Sequence, residues 1–219
     1  MYVLTLNEDN GKSFKNNLKK YVMPSFLWYN VCIMIDMLTN EVEKALKNNL
    51  YLVALNTALT LPDICGKAEF PDKSTTKRYI EWFDKYIGQY ETTNKNNMPY
   101  LSGEVVYSLR CSLLHQGNPN IEEGKGNIDE FVLNIQKENI GIYIDTSYII
   151  NHADGTTTRS YDVNVRGICF KLCSVAKNYY KNNRSKFNFF NYKIKDLDKA
   201  FDMVKPFILP HFQSDTNNF

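Results

Sequence analysis

"YSLRCSLLHQGNPN", residues 107–120, is the stretch that decides the fold. Arg110 and His115 bracket four residues that read as a buried helix, and Gly117 and Pro119 then break it. Upstream, Ser102 is placed to cap this helix, and Glu104 lies in its first turn, where the helix dipole favours an acid. The helix therefore ends on its two most chemically capable side chains. What surrounds it determines whether they belong to a site or to a packed bundle.

Before this stretch, the apolar residues keep a helical period. From Pro24 a long helix begins with Ser25 as its cap, and Phe26, Leu27, Val31, Met34, Ile35, Leu38, Val42 and Leu46 follow at helical spacing. Apolar residues nearly encircle its first half, as expected of a central core helix. "NLYLVALNTALTL" reads as a second helix ending at Pro62, followed by the connection "PDICGKAEFPDKS". A third helix, capped by Ser74 or Thr75, carries Tyr79, Phe83, Tyr86, Ile87 and Tyr90 on one face, and Gly88 loosens its end. "ETTNKNNMP" is a polar loop. Four helices joined by modest loops make a bundle.

After Pro119 the pattern changes. "DEFVLNI", "GIYIDTSYII" and "RSYDVNV" are rich in β-branched and aromatic residues, and Asp154-Gly155 offers a hairpin turn. They read as a three-stranded antiparallel β-meander. Helical period returns with Ile168, Leu172, Val175 and Tyr179, and "KDLDKAFDMV" suggests a short helix before a polar tail. The expected organisation is a single domain over 1–219. It comprises a helical bundle at 23–119, the meander at 120–166, and C-terminal helices and tail at 167–219.

The composition sets limits. The 219 residues are 43% hydrophobic and 23% charged, which is the range of an ordinary globular chain. Lys and Arg total 26 against 24 Asp and Glu, a net charge of +2 that does not announce nucleic-acid binding by itself. "MYVLTLNEDN" lacks the charged and apolar regions of a signal peptide, and "FLWYNVCIMIDML" is too short and too interrupted to span a bilayer. With five cysteines and no C-x-x-C pair, the expectation is reduced thiols in a cytoplasmic protein with no membrane contact. Neither G-x-x-x-x-G-K-[ST] nor G-x-G-x-x-G occurs, so no nucleotide cofactor is expected.

Arg110 and His115 remain the chemistry to explain. On a straight helix they point about 140° apart. To act on one atom, either the helix end unwinds at Gly117 or two copies meet across a two-fold axis, Arg110 of one facing His115 of the other. Arginine is a permanent cation with donors matched to phosphate oxygens. Histidine exchanges protons near neutral pH, and a helix C-terminus favours the form that donates. Together they are a minimal kit for metal-independent RNA cleavage. The imidazole moves the proton of the 2′-OH or of the departing 5′-oxygen, and the guanidinium holds the charged phosphorane.

"LRCSLLHQG", an R-x4-H string at the end of a bundle helix, resembles the R-x4–6-H motif of the HEPN superfamily. The blocks "LPDICGKAEF" and "RYIEWFDKYI", in that order, are similar to a set of largely uncharacterised bacterial proteins that end in an R-C-x-L-L-H-x-G segment. The resemblance covers roughly residues 25–119. It implies a HEPN-like four-helix bundle, a homodimer, and a metal-independent endoribonuclease of toxin or phage-defence type, with an antitoxin or other regulatory partner. Arg110 would stabilise the phosphate and His115 would act as acid–base residue, leaving a 2′,3′-cyclic phosphate. Catalytic members usually carry Asn, Asp or His after the arginine, where this chain has Cys111. The alternative is therefore a non-catalytic HEPN-like protein that binds nucleotides or partners, or serves as a scaffold. Gly117 stands where members regulated by AMPylation often carry tyrosine.

Other clusters have blander readings. Asp63 follows a proline and reads as a turn cap, or in the folded bundle approaches and orients Arg110. Asn118 could contact phosphate, or be a turn residue before Pro119. Cys111 with His115, and Cys169 with Cys173, share i, i+4 spacing, but they sit in apolar stripes where cysteine packs as a small hydrophobe, so no metal is expected. His152 and His211 read as solvated. "KNYYKNNRSKFNFFNYK" interleaves cations with aromatics, as single-stranded nucleic acid requires, but packing is the commoner cause.

Overall fold

The computed structural model describes residues 34–91, 98–117, 121, 125–138, 141–189, 197–198, 201–202 and 205. The chain divides into two units, one of Cys32–Phe189 and one of Met1–Val31 with Phe190–Phe219. In the second unit the described residues, Leu197, Asp198, Phe201, Asp202 and Lys205, are helical. The expected cap at Ser25 and the first half of the first helix lie outside the described residues.

The larger unit is mainly helical. Helix α1 (Met34–Lys47) buries Ile35, Thr39, Val42 and Ala45, a spacing that keeps one face inward. A turn with Asn49 in the left-handed region leads into α2 (Tyr51–Ala58). The expected stop at Pro62 is not where helical structure ends. The chain turns at Leu59 and Thr60, and α3 (Leu61–Glu69) starts with Pro62 in its first turn. There a missing N–H costs nothing, because the first amides of a helix have no intrahelical partner. "LPDICGKAE" is thus a helix, not a connection.

Helix α4 (Thr75–Phe83) buries Tyr79, Trp82 and Phe83 completely. It continues through a π-helical turn (Asp84–Gly88) into the short α5 (Gln89–Glu91), which is where Gly88 was expected to loosen the helix. Helix α6 (Gly103–Gln116) matches its sequence signals at both ends. Ser102 Oγ accepts from Val105 N at 3.3 Å, and Gly117 takes the left-handed cap conformation at φ 70°. The α3–α4 pair packs against α7 through α3 and against α6 through α4.

Strands β1 (Glu130–Asn134), β2 (Thr146–Asn151) and β3 (Thr157–Asn164) form the sheet, and here the expected meander is corrected. The order is β1-β3-β2, with β3 in the middle, antiparallel to β2 and parallel to β1. The Asp154-Gly155 hairpin is present, with Gly155 at φ 83° and Asp154 Oδ1 accepting from Thr156 N at 2.9 Å. The segment from β1 to β2 crosses the C-terminal end of β3 instead of turning back. Asn164 at that end donates from its side chain to Gln136 Oε1 at 2.8 Å and from its backbone to Asp145 Oδ1 at 2.7 Å. The segment thus reaches the far edge, which is why β1 and β2 flank β3.

Helix α7 (Val165–Asn182) follows β3 directly, capped by Asn164. Ile168, Cys169, Leu172 and Ala176 are fully buried, and the helix packs on α1, α2 and α3. Arg166, only 6% exposed, donates to the backbone carbonyls of Gln136 and Lys137, which ties the crossing segment to the helices.

Candidate active site

Arg110, Asp63 and His115 form one cluster, built from α3 and α6. Arg110 Nε and Nη2 both reach Asp63 Oδ2 at 3.1 Å, and both side chains are mostly covered. Arg110 Nη1 lies 3.3 Å from His115 Nε2 and 3.9 Å from Cys111 Sγ. The contact with His115 arises inside a single helix that stays regular through Gln116. The angular argument fails because it treats side chains as short spokes. The two residues are about 7.5 Å apart along the axis, and an arginine lying along the helix spans that gap. Neither unwinding nor a second copy is needed for the two groups to meet.

The electrostatics favour a fixed arginine. Burial opposes the charge of Arg110, but Asp63 and Cys111 outweigh it and hold the guanidinium above its ordinary range. Asp63 shows the opposite balance: burial pushes its carboxyl up, and the charges of Arg110 and Arg78 only partly offset this. Its second oxygen, Oδ1, is buried with no hydrogen-bond partner. In the tautomer protonated at Nδ1, the single lone pair of His115 Nε2 accepts from Arg110 at the exposed end of the helix. The arrangement can hold an anion beside a proton-transfer group.

Aromatic residues floor the cluster. Tyr79 is fully buried, donates to Leu59 O at 3.1 Å, and has its ionisation pushed well up by burial, which removes it from acid–base work. Its ring meets Tyr107 edge-on at 5.2 Å, and the Tyr107 hydroxyl accepts from Thr76 Oγ1 at 2.9 Å. Tyr107 and Arg78 carry no motif signal in the sequence: Arg78 opens "RYIEWFDKYI", and nothing in its spacing points to Asp63.

The other candidates lie elsewhere. Asn118 and His211 are outside the described residues. Glu69, at the far end of α3, accepts from Lys85 at 2.5 Å, Tyr86 at 3.0 Å, Tyr179 at 2.8 Å and Lys186 at 2.6 Å. Burial raises its carboxyl, but these four donors together win and hold it at about 2. His152 is held in the hairpin by Thr158 at 2.8 Å. Cys65, Cys169 and Cys173 are buried, and burial pushes the Cys173 thiol up to about 12. Among the described residues no group of His, Cys, Asp or Glu is arranged to hold a metal ion. The cation-and-aromatic stretch is packed through Tyr179, Tyr180 and Phe187, all buried.

No family model, curated protein or solved structure matches this chain. Among the described residues no helix is long and apolar enough to cross a membrane.

Proposed function

We propose that the chain is a HEPN-like, metal-independent endoribonuclease whose reacting groups are Arg110 and His115. The observation that carries the reading is the 3.3 Å approach of Arg110 Nη1 to His115 Nε2 at the exposed end of α6, with Asp63 fixing the arginine from behind. In the reaction, His115 Nε2 exchanges its contact with Arg110 Nη1 for the ribose 2′-OH and takes its proton. The 2′-oxygen attacks phosphorus, Arg110 holds a non-bridging oxygen of the phosphorane, and the bond to the 5′-oxygen breaks with proton return to the leaving oxygen. The products are a 2′,3′-cyclic phosphate and a free 5′-hydroxyl. A homodimer through α6 brings two such pairs together, and Leu114 on that helix, 39% exposed, supplies apolar surface for it. A role in bacterial conflict, under a regulatory partner, follows the same resemblance.

One observation favours the second reading, a HEPN-like binding or scaffold protein. Arg110 already spends Nε and Nη2 on Asp63, as a purely structural arginine does. Incubation of a mixed RNA pool in EDTA with the purified protein, Arg110→Ala and His115→Ala separates the two. Cyclic-phosphate ends that disappear in both variants, with a loss of at least about 10²-fold for His115→Ala, establish the ribonuclease. Intact RNA at high protein concentration overturns the ribonuclease and leaves the binding or scaffold reading.

A further inference from the structure

Arg110 is nearly saturated by its neighbours: Asp63 takes Nε and Nη2, and His115 and Cys111 face Nη1. The N–H donors left on Arg110 suffice for one phosphate, so a second phosphate of the strand needs another donor. Arg78 supplies one. It lies on α4 where that helix passes closest to α3: a Cβ built at Gly66 would stand 2.6 Å from Arg78 O and 3.5 Å from Arg78 Cγ. Gly66 comes one turn after Asp63, so the base of the Arg78 side chain lies against α3 one turn from that carboxylate. Its charge is among those acting on Asp63.

The Arg78 guanidinium has no hydrogen bond or ion pair to any described residue, and its Nε is buried with no acceptor. A buried donor without an acceptor is rare in a folded protein and calls for a specific reason. Two guanidinium groups around one carboxylate leave this corner with a net positive charge. The uncommitted part of that charge is on Arg78.

We infer that Arg78 is a phosphate-binding residue of this site, gripping a phosphate of a single-stranded polynucleotide next to the one held by Arg110. The inference rests on the proposed function for its substrate class, but its test does not depend on cleavage. Arg78 fixes the strand by charge and contributes no proton transfer, so its loss weakens binding more than turnover.

The test is binding of a short single-stranded RNA bearing 2′-O-methyl groups, which cannot be cut by 2′-OH attack, across a salt series. The proteins compared are the unaltered chain, Arg78→Gln and Arg78→Lys, each checked for unchanged circular dichroism and melting. Arg78→Gln is expected to weaken binding about tenfold and to lower the slope of log affinity against log salt by about 0.7, the value for one lost phosphate contact on a single strand. Arg78→Lys is expected to keep the slope. On cleavable RNA, Arg78→Gln raises KM more than it lowers kcat. An unchanged slope in Arg78→Gln overturns the inference, leaving Arg78 as a second charge beside Asp63, while cleavage that depends on Arg110 and His115 still stands. A lowered slope without any cleavage supports Arg78 and removes the nuclease. RNA that fails to bind the unaltered protein removes both.

Discussion

Asp63 has two neighbours of opposite consequence: the guanidinium of Arg110 stabilises its charge, and the surrounding protein penalises it. Replacing Asp63 with Asn keeps the shape and removes the charge. Global stability is expected to fall by about 1–3 kcal/mol, because the mostly covered Arg110 loses its counter-charge, partly offset by the relieved burial of a carboxylate. Under the proposed function, RNA cleavage is expected to fall, because Arg110 is no longer held toward His115. Denaturant melts beside initial rates check both halves. Glu69 is the contrasting acid. It is 9% exposed, four donors surround it, and its carboxyl sits at about 2 in the folded chain. A depressed carboxyl stabilises the fold above its unfolded pKa and loses that contribution as pH falls through the folded value. The unaltered protein is therefore expected to lose about 1–2 kcal/mol between pH 5 and pH 2 from this residue, because Lys85 and Lys186 are half-exposed and solvent screens their charges. Glu69→Gln should be less stable at neutral pH, and its stability should depend less on pH in that window. Unfolding free energies at several acid pH values decide it.

At the scale of elements, the α3–α4 contact sets the site, and it depends on Gly66 having no side chain. Gly66→Ala puts a methyl 2.6 Å from a backbone carbonyl on α4, where no rotamer change can relieve it. A loss of about 2 kcal/mol is expected from such overpacking, with reduced RNA binding as Arg78 moves away from Asp63. Thermal melts and anisotropy read the two effects separately. The boundaries of α6 were legible because both signals are local: a serine one residue before the first turn and a glycine just after the last. Helix α3 was missed because Pro62 carries the same letter whether it stops one helix or starts the next. Only the turn at Leu59–Thr60 distinguishes the two. The pairing of Asp63 with Arg110 could be weighed from sequence, as one of two readings, because both are charged and the bundle brings sequential helices together. Arg78 gave no such signal, since its placement depends on how closely two backbones approach.

For the whole molecule, the sheet and the helices are joined at the β3–α7 corner. Arg166 is buried there and bonded to carbonyls of the segment that crosses from β1 to β2. Arg166→Ala leaves those carbonyls without their donor and is expected to cost about 3 kcal/mol. Amide exchange should rise first in residues 135–138 and the neighbouring strands, not in α4 or α6. Exchange that rises uniformly would show that the corner is not a separate joint. Strand content could be read from local composition, but strand order could not, because β1 finds β3 only after the chain between β1 and β2 has crossed this corner. Strand identity is a property of a few neighbouring residues. Sheet order belongs to contacts spread over the whole unit.

The thiols supply a built-in reporter. Cys65, Cys169 and Cys173 are buried, whereas Cys111 is partly exposed and lies 3.9 Å from Arg110 Nη1. Among the described residues it is therefore the cysteine that an alkylating reagent reaches in the native state. Its labelling rate follows whatever occupies the space beside Arg110. A saturating oligonucleotide should slow the modification, and a bulky adduct there should obstruct the same oligonucleotide in return. Cys111 thus makes occupancy of the cluster measurable by mass spectrometry, with no label added to the oligonucleotide.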